Sequence, residues 1–160
     1  MSIIAATGHR SKFCPCKYKD EHPWLDNLKL DLKQRLLAVK PDHVIVGGAI
    51  GWDTWVAEVA LECKLPIHLY IPFEGQGKKW FAASKRKYDE IRKQAAKEII
   101  LSPEYNSEVF HVRDRAMVDN CDIVFSLLNP VVKSGGTHYT VGYAKENKKP
   151  VINFWRSETE

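Results

Sequence analysis

Two glycine-rich segments define the chemistry open to this chain. Gly47-Gly48-Ala49-Ile50-Gly51 ends an apolar run and opens a helical one, and Ser134-Gly135-Gly136-Thr137 does the same later in the chain. Backbone N–H groups in such a turn, with the N-terminus of the following helix, suit a phosphate or another anion. Neither is a Walker loop or a G-x-G-x-x-G dinucleotide fingerprint. Thr137 is placed to cap its helix, and its hydroxyl can also reach a phosphate. Around these turns stand side chains of matching use. Gly8, His9 and Arg10 follow the first apolar run, and Arg10 offers a guanidinium fork to an anion. Trp52 and Asp53 follow the first turn, where Asp53 either caps the helix or accepts a ribose hydroxyl or a base N–H. Glu58 lies further along the same helix and, with Asp53, is the candidate acid or base if the site cleaves its ligand. Arg113 shares a helical face with Ala116, Met117 and Asn120, which directs it inward, while Arg115 points to the surface. The plainer reading of the same residues is two structural turns, a capped helix and solvated charges.

Two further clusters bear on partners. His9, Cys14, Cys16 and His22 are zinc-ligand types, but the cysteines are spaced C-x-C around a proline rather than C-x₂-C, so no metal is expected. Cys63 and Cys121 fall in apolar helical patterns and read as reduced core residues. Between Lys78 and Lys97, eight basic residues face two acidic ones, with Trp80, Phe81 and Tyr88 interleaved. Single-stranded nucleic acid is bound by such mixtures. The helical spacing of Trp80, Ala83, Lys87 and Ile91 favours a solvated helix packed on a sheet instead.

The elements that must position these residues alternate strand and helix. Apolar runs at 3–6, 44–46, 67–71, 98–101, 123–127 and 151–154 read as strands, and the continuous run at 3–6 reads as one buried on both faces. Helices are predicted over about 24–39, from 52 or 53 to about 63, and over about 80–96, 108–120 and 137–147. Strands alternating with helices give a single Rossmann-like α/β/α domain with a mostly parallel sheet, spanning 1–160. Eight of the nine glycines then fall in loops at the carboxyl ends of the strands, where such sheets bind ligands.

Composition excludes several classes. The chain has 160 residues, 44% hydrophobic and 28% charged, which is ordinary for a globular domain. Its apolar runs are far shorter than the roughly 20 residues that cross a bilayer. No signal peptide or lipidation box is read, and the cysteines are taken as free thiols, so a cytoplasmic protein without a membrane partner is expected. The net charge of +4 permits an anionic ligand without implying nucleic acid.

Several motifs together resemble one family. They are Thr7-Gly8-His9-Arg10, Gly51-Trp52-Asp53-Thr54-Trp55-Val56-Ala57-Glu58, Ile71-Pro72-Phe73, Trp80, Arg113-Asp114-Arg115-Ala116-Met117-Val118-Asp119, and Ser134-Gly135-Gly136-Thr137 with Tyr143-Ala144. In this order, over residues 3–152, the chain is similar to the YpsA-like branch of the SLOG superfamily, which also holds the DNA-processing protein DprA and the LOG enzymes. The resemblance implies a pocket for a nucleotide or nucleotide-derived ligand, such as a signalling nucleotide, NAD or an ADP-ribose derivative, with no resident cofactor. It also implies a homo-oligomer. The alternatives are nucleotide hydrolysis of the LOG or deoxyribosyltransferase type and DprA-like binding of single-stranded nucleic acid. Those hydrolytic relatives carry a Glu three residues past the Gly-Thr pair. Here that position is Thr140, which has no carboxylate to stabilise an oxocarbenium ion.

Overall fold

Strand parity assigns each apolar side chain to one of two cores. The structure, a computed structural model, describes residues 2–158. Six strands are formed: β1 (Ile3–Gly8), β2 (His43–Val46), β3 (Ile67–Ile71), β4 (Lys97–Ile100), β5 (Ile123–Leu127) and β6 (Val151–Asn153). They make one sheet in the order β4-β3-β2-β1-β5-β6, and every pairing is parallel. The helices are α1 (Pro23–Val39), α2 (Trp52–Glu62), α3 (Ala82–Gln94), α4 (Val109–Asp119) and α5 (Gly136–Glu146). Among the described residues, no helix is long and apolar enough to cross a membrane.

Ile4, Val44, Val46, Ile67, Leu69, Ile71 and Phe125 face the larger core, with the buried leucines of α1 and the apolar side of α2. Ala5, Ile45, Tyr70 and Val124, one residue out of step, face the smaller core with Met117, Val118 and Ala144 of α4 and α5. The chain therefore winds outward from β1 to β4 and then crosses back to β5 on the other side. Strand order reverses between β1 and β5, and loops leaving two such strands diverge to opposite faces and leave a crevice.

Local chemistry sets the helix boundaries. His22 caps α1, accepting the Trp24 N–H on its ring Nδ1 at 3.1 Å, with Pro23 at the first helical position. The helix expected over 80–96 is shorter at both ends. Trp80 closes a turn onto the Gly77 carbonyl at 3.0 Å and packs its ring on Tyr88 from outside α3. Gly135, at φ +95°, precedes α5 as its N-cap, so Thr137 lies within the first turn rather than at the cap.

The loops after β1 and β2 are fastened to each other. Arg10 bridges Gly51, and the Trp52 N–H donates to the His9 carbonyl at 3.2 Å. Trp52 is fully buried, and its indole N–H donates to the Phe125 carbonyl at 3.0 Å. A Cβ on Gly8 would lie 2.4 Å from the Trp52 ring. Gly8→Ala is therefore expected to destabilise the protein by about 1–3 kcal/mol, because the indole cannot move without losing that bond. Gly142→Ala, mid-helix in α5 with open space around it, should stabilise by about 0.5–1 kcal/mol. Urea unfolding of the two variants beside the parent checks both signs.

Candidate functional site

The crevice between β1 and β5 holds a cavity of about 690 Å³. That is within the ordinary range of roughly 300–1,000 Å³ for small-molecule pockets. Its wall is supplied by Gly8 at the end of β1, His9 and Arg10 after it, Asp53 in the first turn of α2, Ser134 to Thr137 at the start of α5, and α4. The amides of Gly136, Thr137 and His138 open α5, where a helix has no internal acceptor for them. Asp53, Arg113 and Asp114 line the same cavity.

Asp53 is the least satisfied group there. It is 7% exposed, Oδ2 accepts the Ala49 N–H at 3.2 Å, and Oδ1 is buried with no hydrogen-bond partner among the described residues. Burial pushes its carboxyl up to about 6; the Arg113 and Arg10 charges and the Ala49 bond oppose that rise, and neighbouring Asp114 adds to it. Arg113 is buried as well. Its Nη1 donates to the Gly47 carbonyl at 2.7 Å and its Nε to Asp114 at 2.7 Å. His9 accepts the Asn129 N–H on Nε2 at 2.9 Å, which the neutral ring alone can do, and burial lowers its pKa accordingly.

Of the residues singled out from the sequence, Gly8, His9, Arg10, Asp53, Arg113, Ser134, Gly135, Gly136 and Thr137 line this cavity together. Gly47, Gly48, Gly51, Trp52 and Glu58 do not. The first glycine turn is occupied with packing. A Cβ on Gly47 would meet Arg113 at 2.5 Å, one on Gly48 would meet Tyr88 at 2.7 Å, and one on Gly51 would meet the Ser11 amide at 2.6 Å. Asp53 holds Ala49 from inside that turn and does not cap α2, whose N-cap is Gly51. Glu58 sits on α2 away from the cavity.

The sequence reading missed Asp114. Its Oδ2 lies 3.1 Å from the Thr140 hydroxyl, which also lies 2.8 Å from the Gly136 carbonyl. A carboxylate thus stands beside the position where Thr140 carries none. The signal was present in Arg113-Asp114, but adjacent helical residues point in different directions, and only the closeness of α5 turns both toward one cavity.

The cysteines and the basic helix are otherwise engaged. Cys14 and Cys16 are buried, and their thiols lie 3.6 and 3.7 Å from the Arg10 and Lys17 carbonyls. Burial pushes the Cys14 thiol up to about 12. His22 and His9 use ring nitrogens on backbone amides. Lys85, Lys87, Arg92 and Lys93 pair with Asp89, Asp20, Glu98 and Glu90. Half of that basic surface is directed to the chain's own carboxylates.

The Asp53 environment has a measurable cost. Its folded pKa lies above the ordinary carboxylate range, so between the two values the folded chain holds a proton that the unfolded chain has lost. Stability then falls as pH rises through that window. Asp53→Asn should raise stability at pH 7 by about 1–3 kcal/mol. The gain should close below pH 4, where both states of the parent are protonated. Thermal melts at pH 4 and pH 7 measure it, and an equal gain at both would remove ionisation as the cause.

Comparison with known proteins follows the same lines. UPF0398 protein of Bacillus pumilus (strain SAFR-032) is 29% identical over 140 residues, covering 81% of this chain and 75% of that protein. UPF0398 protein of Bacillus thuringiensis (strain Al Hakam) is 28% identical over 156 residues, covering 91% and 84%. DNA processing protein A from Helicobacter pylori, described for its single-stranded DNA binding mode, superposes with a TM-score of 0.67 at 17% identity, over 95% of this chain and 64% of that one. The molybdenum cofactor carrier protein of Chlamydomonas reinhardtii gives 0.60 at 17% identity, over 95% and 75%. These two likenesses concern the fold. A family model described as the YspA SLOG family matches residues 4–154. With nearly all of the sheet and the whole cavity lining inside that match, the chain belongs to the YspA SLOG family.

Proposed function

We propose that the chain is a single ligand-binding domain that holds a nucleotide or nucleotide-derived molecule in the β1–β5 cavity, as a sensor or sequestering protein. The observation that carries this reading is the mixed lining of the cavity. Amides at the start of α5, aided by the helix dipole, suit a phosphate. Asp53 and Asp114 add carboxylates to the same lining. Ala6, Phe110 and Met117 add apolar surface. Arg113 donates to Gly47 and Asp114 through Nη1 and Nε, and it lines the cavity with Arg10, so both guanidinium groups stand with the α5 amides as candidates for phosphate contact.

Thermal melts against mono-, di-, cyclic and dinucleotides test the reading. A ligand at a hundredfold excess over its Kd should stabilise the protein by about 2.7 kcal/mol. Unchanged melting across the whole panel would overturn it.

A second reading, nucleotide hydrolysis, is favoured by one observation, the Asp114 carboxylate against Thr140. Asp114 would then do what the missing Glu does in the hydrolytic relatives. Chromatography of nucleoside monophosphates and NAD after long incubation should show a released base, and Asp114→Asn should abolish it. Product that survives this substitution, or no product at all, removes the reading.

A further inference from the structure

We infer, resting on the nucleotide reading above, that Phe13 is the stacking surface for the ligand's base, so that the site recognises the flat face of an aromatic heterocycle rather than its hydrogen-bonding edge.

Four rings belong to the cavity lining: His9, Phe13, Phe110 and His111. Three of them are engaged by other groups of the protein. His111 lies flat on Tyr139, with centroids 4.2 Å apart. Phe110 meets Phe73 at 6.1 Å and Tyr105 at 6.3 Å, and the Arg113 guanidinium stands 5.9 Å from its centroid. His9 packs edge-on with Trp155 at 5.9 Å and accepts the Asn129 N–H. Phe13 differs from all three, being 61% exposed. Among the described residues its ring meets His9, edge-on at 6.4 Å, and Lys12, whose Nζ stands 5.0 Å from the centroid. These contacts leave most of Phe13 uncovered, at a residue of the cavity lining.

The backbone that carries this ring is fixed. Ser11–Phe13 form a single 3₁₀ turn, in which the Phe13 N–H donates to the Arg10 carbonyl and the Cys14 N–H to the Ser11 carbonyl, both at 3.0 Å. Arg10 bridges Gly51 on one side of the turn. On the other side, Cys14 and Cys16 are buried in the larger core. The Cys14-Pro15-Cys16 segment is thus an anchor: two small apolar side chains are sunk into the core, and the large one beside them is held out. A ring on an anchored turn loses little freedom when a ligand covers it, so more of the contact appears as affinity. Stacking of this kind tolerates different bases, because every base has a π-face. It gives nothing to a sugar phosphate, which has none.

The test is calorimetric titration of the full chain, and of F13A and F13Y, with AMP, GMP, UMP and ribose 5-phosphate. In the parent, ribose 5-phosphate is expected to bind about tenfold or more weakly than AMP, with all three nucleotides within about tenfold of one another. F13A should weaken the nucleotides by about tenfold or more and move ribose 5-phosphate by less than about twofold. F13Y keeps a ring and should restore the nucleotides to within a few-fold of the parent. Because Phe13 is exposed, F13A should melt with the parent, which separates lost stacking from lost fold. Equal losses for nucleotides and ribose 5-phosphate, or no loss for either, overturn the inference and leave the nucleotide reading standing. AMP and GMP differing by more than about tenfold also overturn it, since an edge would then be read. Ribose 5-phosphate binding the parent as tightly as AMP overturns it as well. Binding of no nucleotide overturns both readings.

Discussion

One buried guanidinium organises the carboxyl end of this sheet. Arg113 reaches from α4 across the mouth of the crevice and donates to the Gly47 carbonyl at 2.7 Å, where Gln76 also donates at 3.3 Å. One carbonyl oxygen therefore ties together the loops after β2 and β3 and a helix of the opposite layer. A charge taken out of water must be paired and hydrogen-bonded, and Asp114 provides the pair. Everything near it follows from that requirement. Gly47 has no side chain because the guanidinium occupies the space one would need. Asp114 is oriented because its Oδ1 is held. Asp53 has one backbone partner, the Ala49 N–H, and feels the Arg113 charge without a hydrogen bond from it.

The two glycine turns look alike in sequence and differ in use. After β2, the missing side chains admit Arg113, Tyr88 and the β1 loop, and the amides are drawn into bonds within the protein. After β5, Gly135 and Gly136 have open space where a side chain would stand, and both line the cavity. The same residue type serves close packing in one turn and leaves open space beside the cavity in the other. What decides is whether a large buried side chain lies next to the turn.

Much of this was legible in the chain. Ile4 and Ala5, or Val44 and Ile45, are continuous apolar pairs whose only stable home is a strand buried on both faces, so the parallel sheet and its layers were readable. The loops that meet at the switch point followed from the strands. Less legible was anything depending on contact between distant elements. The closeness of Asp114 to Thr140 depends on α4 packing against α5, for which no local pattern exists. Trp80 stands at helical spacing, yet it closes a turn onto Gly77, and α3 begins only at Ala82. Glu58 has the right type one and a half turns past Asp53, but α2 carries it away from the cavity.

The position of β1 also bears on the order in which the protein assembles. Of the six strands it is the earliest in the chain, and it lies in the middle of the sheet. Ile4 pairs with Val44 on one side early, but its other neighbour is Ile123. One edge of β1 is therefore an open row of backbone donors and acceptors until most of the chain has emerged from the ribosome. Pairings this far apart in sequence are slow to form. The seam they close is the one on which the cavity sits, so the cavity is complete only once these long-range pairings have formed.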